Sequence, residues 1–173
     1  IQKALDQQKL ELDAGALPAH LMFQGASFVS LHKHGNLRGC IGSLEAHQPL
    51  ALDVMQNSIK AAFNDPRFAK LAPEELSDLD IEISVLTSPE PMPCSDEQDC
   101  LRQLRPGTDG LIIRSGARRA TFLPLVWRSI PDPRTFLQHL KQKAGLPLDT
   151  WPVDMQVWRY EAICFSEHDL AKP

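Results

Sequence analysis

The sequence has no long apolar run, no cysteine framework and no excess of positive charge. No stretch approaches the roughly 18 apolar residues of a transmembrane helix, and no signal-peptide pattern opens it. We therefore expect a cytoplasmic protein that does not contact the membrane. The 173 residues carry a net charge of −4, and aromatic residues make up only 6%. An acidic chain without a basic, aromatic stripe is not typical of nucleic-acid-binding proteins.

The four cysteines, Cys40, Cys94, Cys100 and Cys164, contain no CxxC pair. Their spacings fit none of the common zinc-ligand patterns. A chain of this length buries about 70% of its unfolded surface, so it needs neither a disulfide nor a metal to fold. We therefore expect four free thiols in a reducing compartment, with no metal and no cofactor.

Residues 1–173 contain no internal repeat, no low-complexity segment and no Gly/Ser linker, which predicts one domain. Because the first residue is Ile1 rather than methionine, we expect the numbering to start inside a longer natural chain. Strands and helices mix without a regular βαβ rhythm. This order favours an α+β fold with a mostly antiparallel sheet flanked by helices.

Hydrophobic periodicity and turn residues place the elements along the chain. Helices are predicted over residues 1–13, from Pro49 to before Pro66, from Ser95 with a capping box at Gln98, and from Asp132 to Gly145. Strands are predicted over Ser27–Lys33, Leu37–Leu44, Ile81–Val85, Leu111–Arg114, Arg118–Phe122 and Met155–Phe165.

The turn of the first hairpin decides which side chains share a face with Cys40, because paired residues of antiparallel strands point the same way. A two-residue turn would mix polar with apolar residues on both faces. A three-residue loop over residues 34–36 separates them, and Asn36 tolerates the left-handed conformation that its last position needs. The pattern therefore favours the three-residue loop.

In this register the apolar residues form one face: Val29, Leu31, Leu37 and Ile41. The polar face pairs Ser30 with Cys40 and His32 with Arg38. Arg38 then lies two residues from Cys40 on the same side of the strand. A nearby positive charge favours the thiolate, so we expect Arg38 and Cys40 to act together.

The polar face is a candidate nucleophile or small-molecule site. Cys40 is the candidate thiol nucleophile, and His32 is the candidate base or ligand. The candidate ligand-binding residues are Ser30, Arg38, Gly39, Gly42, Arg67, Glu82 and Ser84. Gly39 and Gly42 leave room for backbone or ligand to approach closely. The alternative is a structural Cys40, because free cysteine is among the most buried residue types.

Other polar and aromatic residues are interpreted as structural. His34 of the His-x-His pair falls in the turn, so we predict no metal site there. Within Asp65-Pro66-Arg67-Phe68, we expect Asp65 near a helix end and Phe68 in the core, with Arg67 able to reach an anionic group. Arg118-Arg119 is interpreted as a solvated face. The three tryptophans are interpreted as core or packing residues: Trp127, Trp151 and Trp158.

The string Leu37-Arg38-Gly39-Cys40-Ile41-Gly42-Ser43-Leu44 closely resembles the signature of the AMMECR domain family, also called protein A of the AmmeMemoRadiSam system. The likeness continues in order over nearly all of the chain. It runs through Ala61-Ala62-Phe63-Asn64-Asp65-Pro66-Arg67-Phe68, Ile83-Ser84-Val85-Leu86, Pro106-Gly107-Thr108-Asp109-Gly110-Leu111, Arg119-Ala120-Thr121-Phe122-Leu123-Pro124 and Leu140-Lys141-Gln142-Lys143-Ala144-Gly145-Leu146.

The resemblance implies a two-lobed α+β fold with interleaved lobes, the second one smaller, and a signature strand that faces the cleft between them. It also implies association with a Memo-type protein and a radical SAM protein. We therefore expect an accessory or scaffold protein that binds a Memo-type partner and a small anionic ligand beside Leu37–Gly42. The alternative is an enzyme that uses Cys40 in a group-transfer reaction, with Arg38 orienting the substrate.

Overall fold

The structure, a computed structural model, describes residues 1–8 and 11–167. Within these residues the chain forms two antiparallel sheets flanked by helices, which confirms the predicted α+β class. The described residues divide into two units: one contains residues up to Leu86 together with residues 163–167, and the other is Thr87–Ala162. No helix in the described residues is long and apolar enough to cross a membrane.

The first unit is built on a sheet with β1 (Gln24–Lys33) at its centre. The other strands that the structure describes in this sheet are β2 (Asn36–Gly42), β3 (Gln48–Pro49), β4 (Leu79–Leu86) and β9 (Ala162–Ser166). β1 pairs antiparallel with β2, β3 and β4, and β9 lies next to β4. The central place of β1 explains why Val29 and Leu31 are fully buried.

Helix α2 (Leu50–Phe63) packs against one face of this sheet. The core between them contains Val29, Leu31, Ala61, Ala62 and Leu71. The helix ends at Phe63 with Asn64 as its C-cap, before Pro66, as the bias of the residue preceding proline predicts. The unit also contains a short helix, α1 (Gln2–Leu5), and 3₁₀ helices at Ala14–Ala16, Ala19–Met22 and Pro73–Asp78.

A buried carboxylate fastens α2 to the hairpin strands. Asp53 is fully buried and accepts hydrogen bonds from the backbone and hydroxyl of Ser27 at 2.8 and 2.7 Å. It also accepts from the Ser43 hydroxyl at 2.7 Å and from the side-chain amides of Gln48 and Asn57. Burial alone raises the pKa of Asp53, but these hydrogen bonds outweigh it and hold the pKa below its ordinary value. The network is structural, because its donors saturate the carboxylate.

The second unit has a sheet of β5 (Glu90–Pro91), β6 (Gly110–Ser115), β7 (Arg118–Phe122) and β8 (Gln156–Tyr160) among the described residues, in the order β5-β8-β6-β7. Its helices are α3 (Glu97–Gln103), α4 (Pro133–Lys143) and a 3₁₀ helix, Pro124–Arg128. The core contains Leu111, Ile113 and Phe136, on whose ring Trp127 stacks at 3.8 Å between centroids. Lys141 is also fully buried, with Nζ bonded to Glu97 and two loop carbonyls.

Three predicted elements differ from the observed ones. The first helix stops at Leu5, because Gln7 has a positive φ of 55°; part of its predicted span, residues 9 and 10, lies outside the described residues. The predicted strand Met155–Phe165 is two strands in different sheets, since Glu161 leaves the ladder and bonds to Thr87. The short third helix is capped by Asp96 rather than by Ser95.

Candidate functional site

The β1–β2 turn consists of two residues rather than the predicted three. His34 and Gly35 have φ values of 51° and 77°, and Lys33 pairs directly with Asn36. Two consecutive residues with positive φ are typical of a type I′ turn, whose twist matches that of the flanking strands. The prediction of a loop over residues 34–36 is therefore wrong.

A β-bulge restores the predicted register at Cys40. Leu31 pairs with Gly39 and His32 with Leu37, so Arg38 is the extra residue of β2. Beyond the bulge Ser30 pairs with Cys40, which confirms that prediction. The predicted pair of His32 with Arg38 is wrong. Leu37 does not join the apolar face either, and it is 41% exposed.

Polar side chains form a row across three strands on the face opposite α2. Ser30 Oγ donates to Cys40 Sγ at 3.2 Å, and Glu82 pairs with Ser30 from the other side. In the next row, Ser84 Oγ lies 3.2 Å from Cys164 Sγ on β9. The register therefore brings the predicted residues Ser30, Cys40, Glu82 and Ser84 to one face.

The arginine beside Cys40 is Arg67. Its Nη2 donates to the Cys40 carbonyl at 3.1 Å, and the Cys40 N–H donates to Asp65 at 2.9 Å. Asp65 also binds the Arg67 guanidinium through Nε at 3.0 Å and Nη2 at 2.7 Å. The Asp65 carboxylate raises the pKa of Arg67, and the Cys40 side chain adds a smaller increase. Asp65 and Arg67 thus clamp the backbone of Cys40 from one side.

Arg38, the predicted partner of Cys40, is engaged elsewhere. Its Nε and Nη2 bind the two oxygens of Glu75 at 3.0 and 2.8 Å. Glu75 also accepts from Lys33 Nζ at 3.2 Å and from the Ala72 N–H at 3.1 Å. Since the bulge shifts Arg38 out of the alternation of β2, its side chain does not join the row of Cys40.

Phe68 lies close to both guanidinium groups. The ring centroid is 6.0 Å from Arg38 Cζ and 5.5 Å from Arg67 Cζ, within the range of cation–π attraction. The ring is half-buried, so the prediction that Phe68 belongs to the core is wrong. Arg38 Nη1 is buried and has no hydrogen-bond partner among the described residues. Because Arg38 and Arg67 both lie near this ring, the region is rich in hydrogen-bond donors.

Both carboxylates of this region are held ionised. The Arg67 guanidinium, with help from the Cys40 N–H, keeps the pKa of Asp65 well below its ordinary range despite burial. Hydrogen bonds from Arg38, then from the Ala72 N–H, lower the pKa of Glu75 to about 2. Two fixed negative charges therefore orient the arginines at neutral pH.

The two signature glycines are required by packing within the protein. A Cβ on Gly39 would clash with the Ala61 carbonyl oxygen of α2. A Cβ on Gly42 would clash with the Phe28 ring. The room at both positions is taken by backbone and side chain of the same unit, so packing alone accounts for these glycines.

His32 lies on β1, two residues from Ser30. Its strand partners are Leu37 and Asp80, and among the described residues no hydrogen bond joins its ring to Cys40. His34 lies in the exposed turn, 3.9 Å from Asp78. The four cysteines are free thiols, and no group of three or more metal-ligating side chains occurs in residues 1–8 and 11–167.

Sequence reasoning missed the partners of both arginines. The sequence does contain a local signal for the contact between Asp65 and Arg67. Asp often accepts a hydrogen bond from the backbone N–H two residues later, and here the Arg67 N–H donates to Asp65 Oδ1. Glu75 carries no such signal, since it meets Arg38 across 37 positions of sequence. Arg67 was a candidate ligand-binding residue, but its contact with Cys40 depends on the turn that follows α2.

Comparison with known proteins identifies relatives over most of the chain. A protein of Methanothermobacter thermautotrophicus is 43% identical over 146 residues, which cover 81% of this chain and 74% of the relative. Protein MJ0810 of Methanocaldococcus jannaschii is 38% identical over 148 residues, 81% of this chain and 72% of its own.

A solved structure shares the fold. The crystal structure of the uncharacterized protein PH0010 from Pyrococcus horikoshii superposes with a TM-score of 0.83 at 33% identity, covering 96% of this chain and 85% of that one. The AMMECR1 family model matches residues 1–165. Because that match spans nearly the whole sequence, this chain belongs to the AMMECR1 family.

Proposed function

We propose that this chain is a cytoplasmic accessory protein of an AmmeMemoRadiSam-type modification system. It binds a Memo-type protein, works together with a radical SAM protein, and takes up a small anionic group beside strand Leu37–Gly42. The anionic group is a free ligand or a carboxylate of the Memo-type partner, and it binds at Arg67. The resemblance of the signature segment supports the assignment to this system.

The binding proposal is supported by the exposure of Arg67 and by the way Asp65 holds its side chain. Its side chain is 55% exposed, although Asp65, which holds it, is only 2% exposed. Nε and Nη2 are used, while Nη1 makes no hydrogen bond to any residue that the structure describes. A guanidinium fixed in place by a buried carboxylate loses little freedom when it binds an anion.

The surrounding charges favour an anion over a cation at this point. Lys33, Arg38 and Arg67 face two carboxylates, those of Asp65 and Glu75, both of which are fully engaged. These three cations outnumber the two carboxylates that bind them, while Glu82 lies beyond Ser30 on β4. Charge-assisted hydrogen bonds to carboxylate or phosphate are the strongest that these donors can make.

The test is binding of the purified Memo-type protein from the same genome, followed by biolayer interferometry. We expect Arg67→Gln to weaken binding about tenfold, the effect of one charge-assisted hydrogen bond. Arg102→Gln is the matched control, because Arg102 is a similarly exposed arginine paired with Asp99 in the second unit. Acetate or inorganic phosphate should reduce binding of the Memo-type protein to the wild-type chain but not to Arg67→Gln.

Two results would contradict this proposal. If the wild-type chain does not bind the Memo-type protein at all, the accessory role is wrong. If it binds and Arg67→Gln binds equally well, the partner does not use this anion site. In that case, failure of acetate and phosphate to shift the Cys40 amide signal in NMR spectra would remove the ligand site as well.

The alternative function is group transfer through Cys40. The Ser30 hydroxyl and the Arg67 guanidinium both lie at this cysteine, and either can orient an acceptor or an anionic substrate. The thiolate would displace a leaving group from the substrate and hold the transferred group until an acceptor removes it. Cys40→Ser should then abolish the modification carried out by the reconstituted system. Unchanged modification would exclude this alternative and leave the binding proposal intact.

A further inference from the structure

The second unit carries an open cavity of about 430 Å³ beside its two α-helices. Residues of α3, of α4 and of the loop 148–151 form its walls. Its volume lies within the range of about 300–1,000 Å³ that is usual for small-molecule sites. All of its lining residues lie between positions 96 and 151, so the cavity is separate from Arg67 and Cys40.

A fully buried lysine holds two walls of this cavity in place. Nζ of Lys141, on α4, donates to Glu97 Oε2 at 2.9 Å. It also donates to the carbonyl oxygens of Leu148 at 3.0 Å and Thr150 at 2.9 Å. Lysine is rarely buried unless its charge is paired, and here each of its three hydrogens has an acceptor. These bonds tie α3 and the loop to α4, so the walls are formed before any ligand binds.

Two groups of opposite charge line this cavity without pairing with each other. Arg134 lies in the first turn of α4, and Asp149 lies in the loop. Among the residues that the structure describes, neither side chain makes a hydrogen bond or an ion pair. The pKa of Asp132 is lowered mainly by hydrogen bonds from Thr135 and only slightly by the charge of Arg134. Both charged groups of the cavity can therefore bind a ligand.

The other two carboxylates of the cavity already have partners. Glu97 pairs with Lys141, as described above. Asp96 caps α3, because its Oδ1 accepts from the Asp99 N–H at 2.7 Å. The carboxylate that remains for the cation of a ligand is that of Asp149.

The cavity also offers apolar surface to a ligand. Leu148 is 47% exposed, and Trp151 is half-buried against the core of the unit. The interpretation of Trp151 as a packing residue accounts for the buried part of its ring only. A leucine beside an indole gives an apolar group a surface on which it leaves water.

We propose that this cavity binds a free α-amino acid with an apolar side chain. The carboxylate of the amino acid binds Arg134, its ammonium group binds Asp149, and its side chain lies against Trp151 and Leu148. A guanidinium matches a carboxylate with two parallel charge-assisted hydrogen bonds. A simple anion would be repelled by Asp149 and a simple cation by Arg134. A ligand that carries both charges is attracted by both groups.

The experiment is an NMR titration of the full chain with L-phenylalanine, observing the tryptophan indole N–H signals. Trp151→Phe assigns the reporting signal. Trp127 is the internal reference, because its indole is buried and donates to the Asp109 carbonyl at 2.7 Å. We expect the Trp151 signal to shift and the Trp127 signal to stay in place. L-Phenylalanine amide lacks the carboxylate and N-acetyl-L-phenylalanine lacks the ammonium group, so each should bind about tenfold more weakly.

Two variants assign the charges of the ligand to their partners. Arg134→Gln should raise the Kd of L-phenylalanine about tenfold without weakening the binding of L-phenylalanine amide. Asp149→Asn should raise the Kd of L-phenylalanine by a similar factor without weakening the binding of N-acetyl-L-phenylalanine. Arg128→Gln is the matched control, because Arg128 is an exposed arginine of the same unit outside the cavity. Its Kd should equal that of the wild type, and retained indole dispersion shows in each case that the variant is folded.

Three results would overturn this proposal. If either analogue binds as tightly as L-phenylalanine, the cavity does not recognise a zwitterion. If the Trp151 signal does not respond to L-phenylalanine up to its solubility limit, the cavity is not an amino-acid site. If Arg128→Gln loses as much affinity as Arg134→Gln, the effect comes from the net charge of the chain and not from a contact in the cavity.

Discussion

Two arginine–carboxylate pairs beside β2 are built alike but differ in exposure. Arg38 and Arg67 each bind a carboxylate through Nε and Nη2, and both lie against Phe68. In the first pair both partners are largely covered, at 14% and 19% exposure. In the second pair only the carboxylate is covered, and Arg67 is 55% exposed. The first pair therefore serves the fold, whereas the second presents a positive charge to solvent.

The largest loss of stability should come from a substitution of Gly39. Gly39 separates Arg38 from Cys40, and a side chain there would meet the Ala61 carbonyl of α2. We expect Gly39→Ala to cost about 3 kcal/mol of unfolding free energy, the upper end for overpacking against a rigid neighbour. Urea unfolding followed by circular dichroism measures this loss.

Gly35→Ala is the control for that substitution. Gly35 has a φ of 77°, and nothing lies within 4 Å of a Cβ added there. Its loss should be only about 1 kcal/mol, the cost of the left-handed conformation for alanine. Equal losses for the two variants would mean that contact with α2 is not what requires glycine at position 39.

The next prediction compares how much Arg38 and Arg67 each contribute to the stability of the folded chain. Arg38→Gln leaves Glu75 covered without its principal donor, so we expect a loss of about 2 kcal/mol. Arg67→Gln removes a mostly exposed guanidinium and leaves the covered Asp65 with two backbone N–H donors, those of Cys40 and of residue 67, so we expect a loss of about 1 kcal/mol. Differential scanning calorimetry compares the two variants. A larger loss for Arg67→Gln would reverse the assignment of the two pairs.

Acid should weaken the covered pair over a defined range of pH. The pKa of Glu75 is lowered from 4.5 to about 2 in the folded chain. A lowered pKa stabilises the folded state above the unfolded pKa, and that contribution is lost as the pH falls from about 4.5 towards 2. Between pH 5 and pH 3, we expect Glu75→Gln to lose about 1–2 kcal/mol less stability than the wild type. Parallel pH dependence of the two proteins would contradict this.

The sequence predicted the elements that depend on local patterns. Alternation along residues 27–33 and 81–85 predicts β1 and β4, which the structure extends to Gln24–Lys33 and Leu79–Leu86. Asp132 and Gly145 mark the two ends of α4. The bulge at Arg38 could not be predicted in this way, because a two-residue turn with a bulge and a three-residue loop give the same register at Cys40.

The candidate site was predicted in part for the same reason. Ser30, Glu82 and Ser84 follow from register alone, and the structure places them on the face of Cys40. The identity of the neighbouring arginine does not follow from register. It depends on the turn after α2, where Asp65 folds Arg67 back to the Cys40 carbonyl. Long-range contacts of this kind leave no periodic signal in a single sequence.

The smallest expected effect is on the alkylation of Cys40, and it should show which arginine places its charge near the thiol. Iodoacetate and iodoacetamide alkylate cysteine by the same displacement of iodide, but only iodoacetate is anionic. A positive charge a few ångströms away attracts the anion by about 1 kcal/mol in water, and salt screens part of this. We therefore expect Arg67→Gln to lower the iodoacetate-to-iodoacetamide rate ratio at Cys40 about threefold, and Arg38→Gln to leave it unchanged. Peptide mass spectrometry measures both rates, with Cys94 in the second unit as the internal standard. If the ratio falls in Arg38→Gln and stays unchanged in Arg67→Gln, the arginine that acts on the Cys40 thiol is Arg38, as the register predicted.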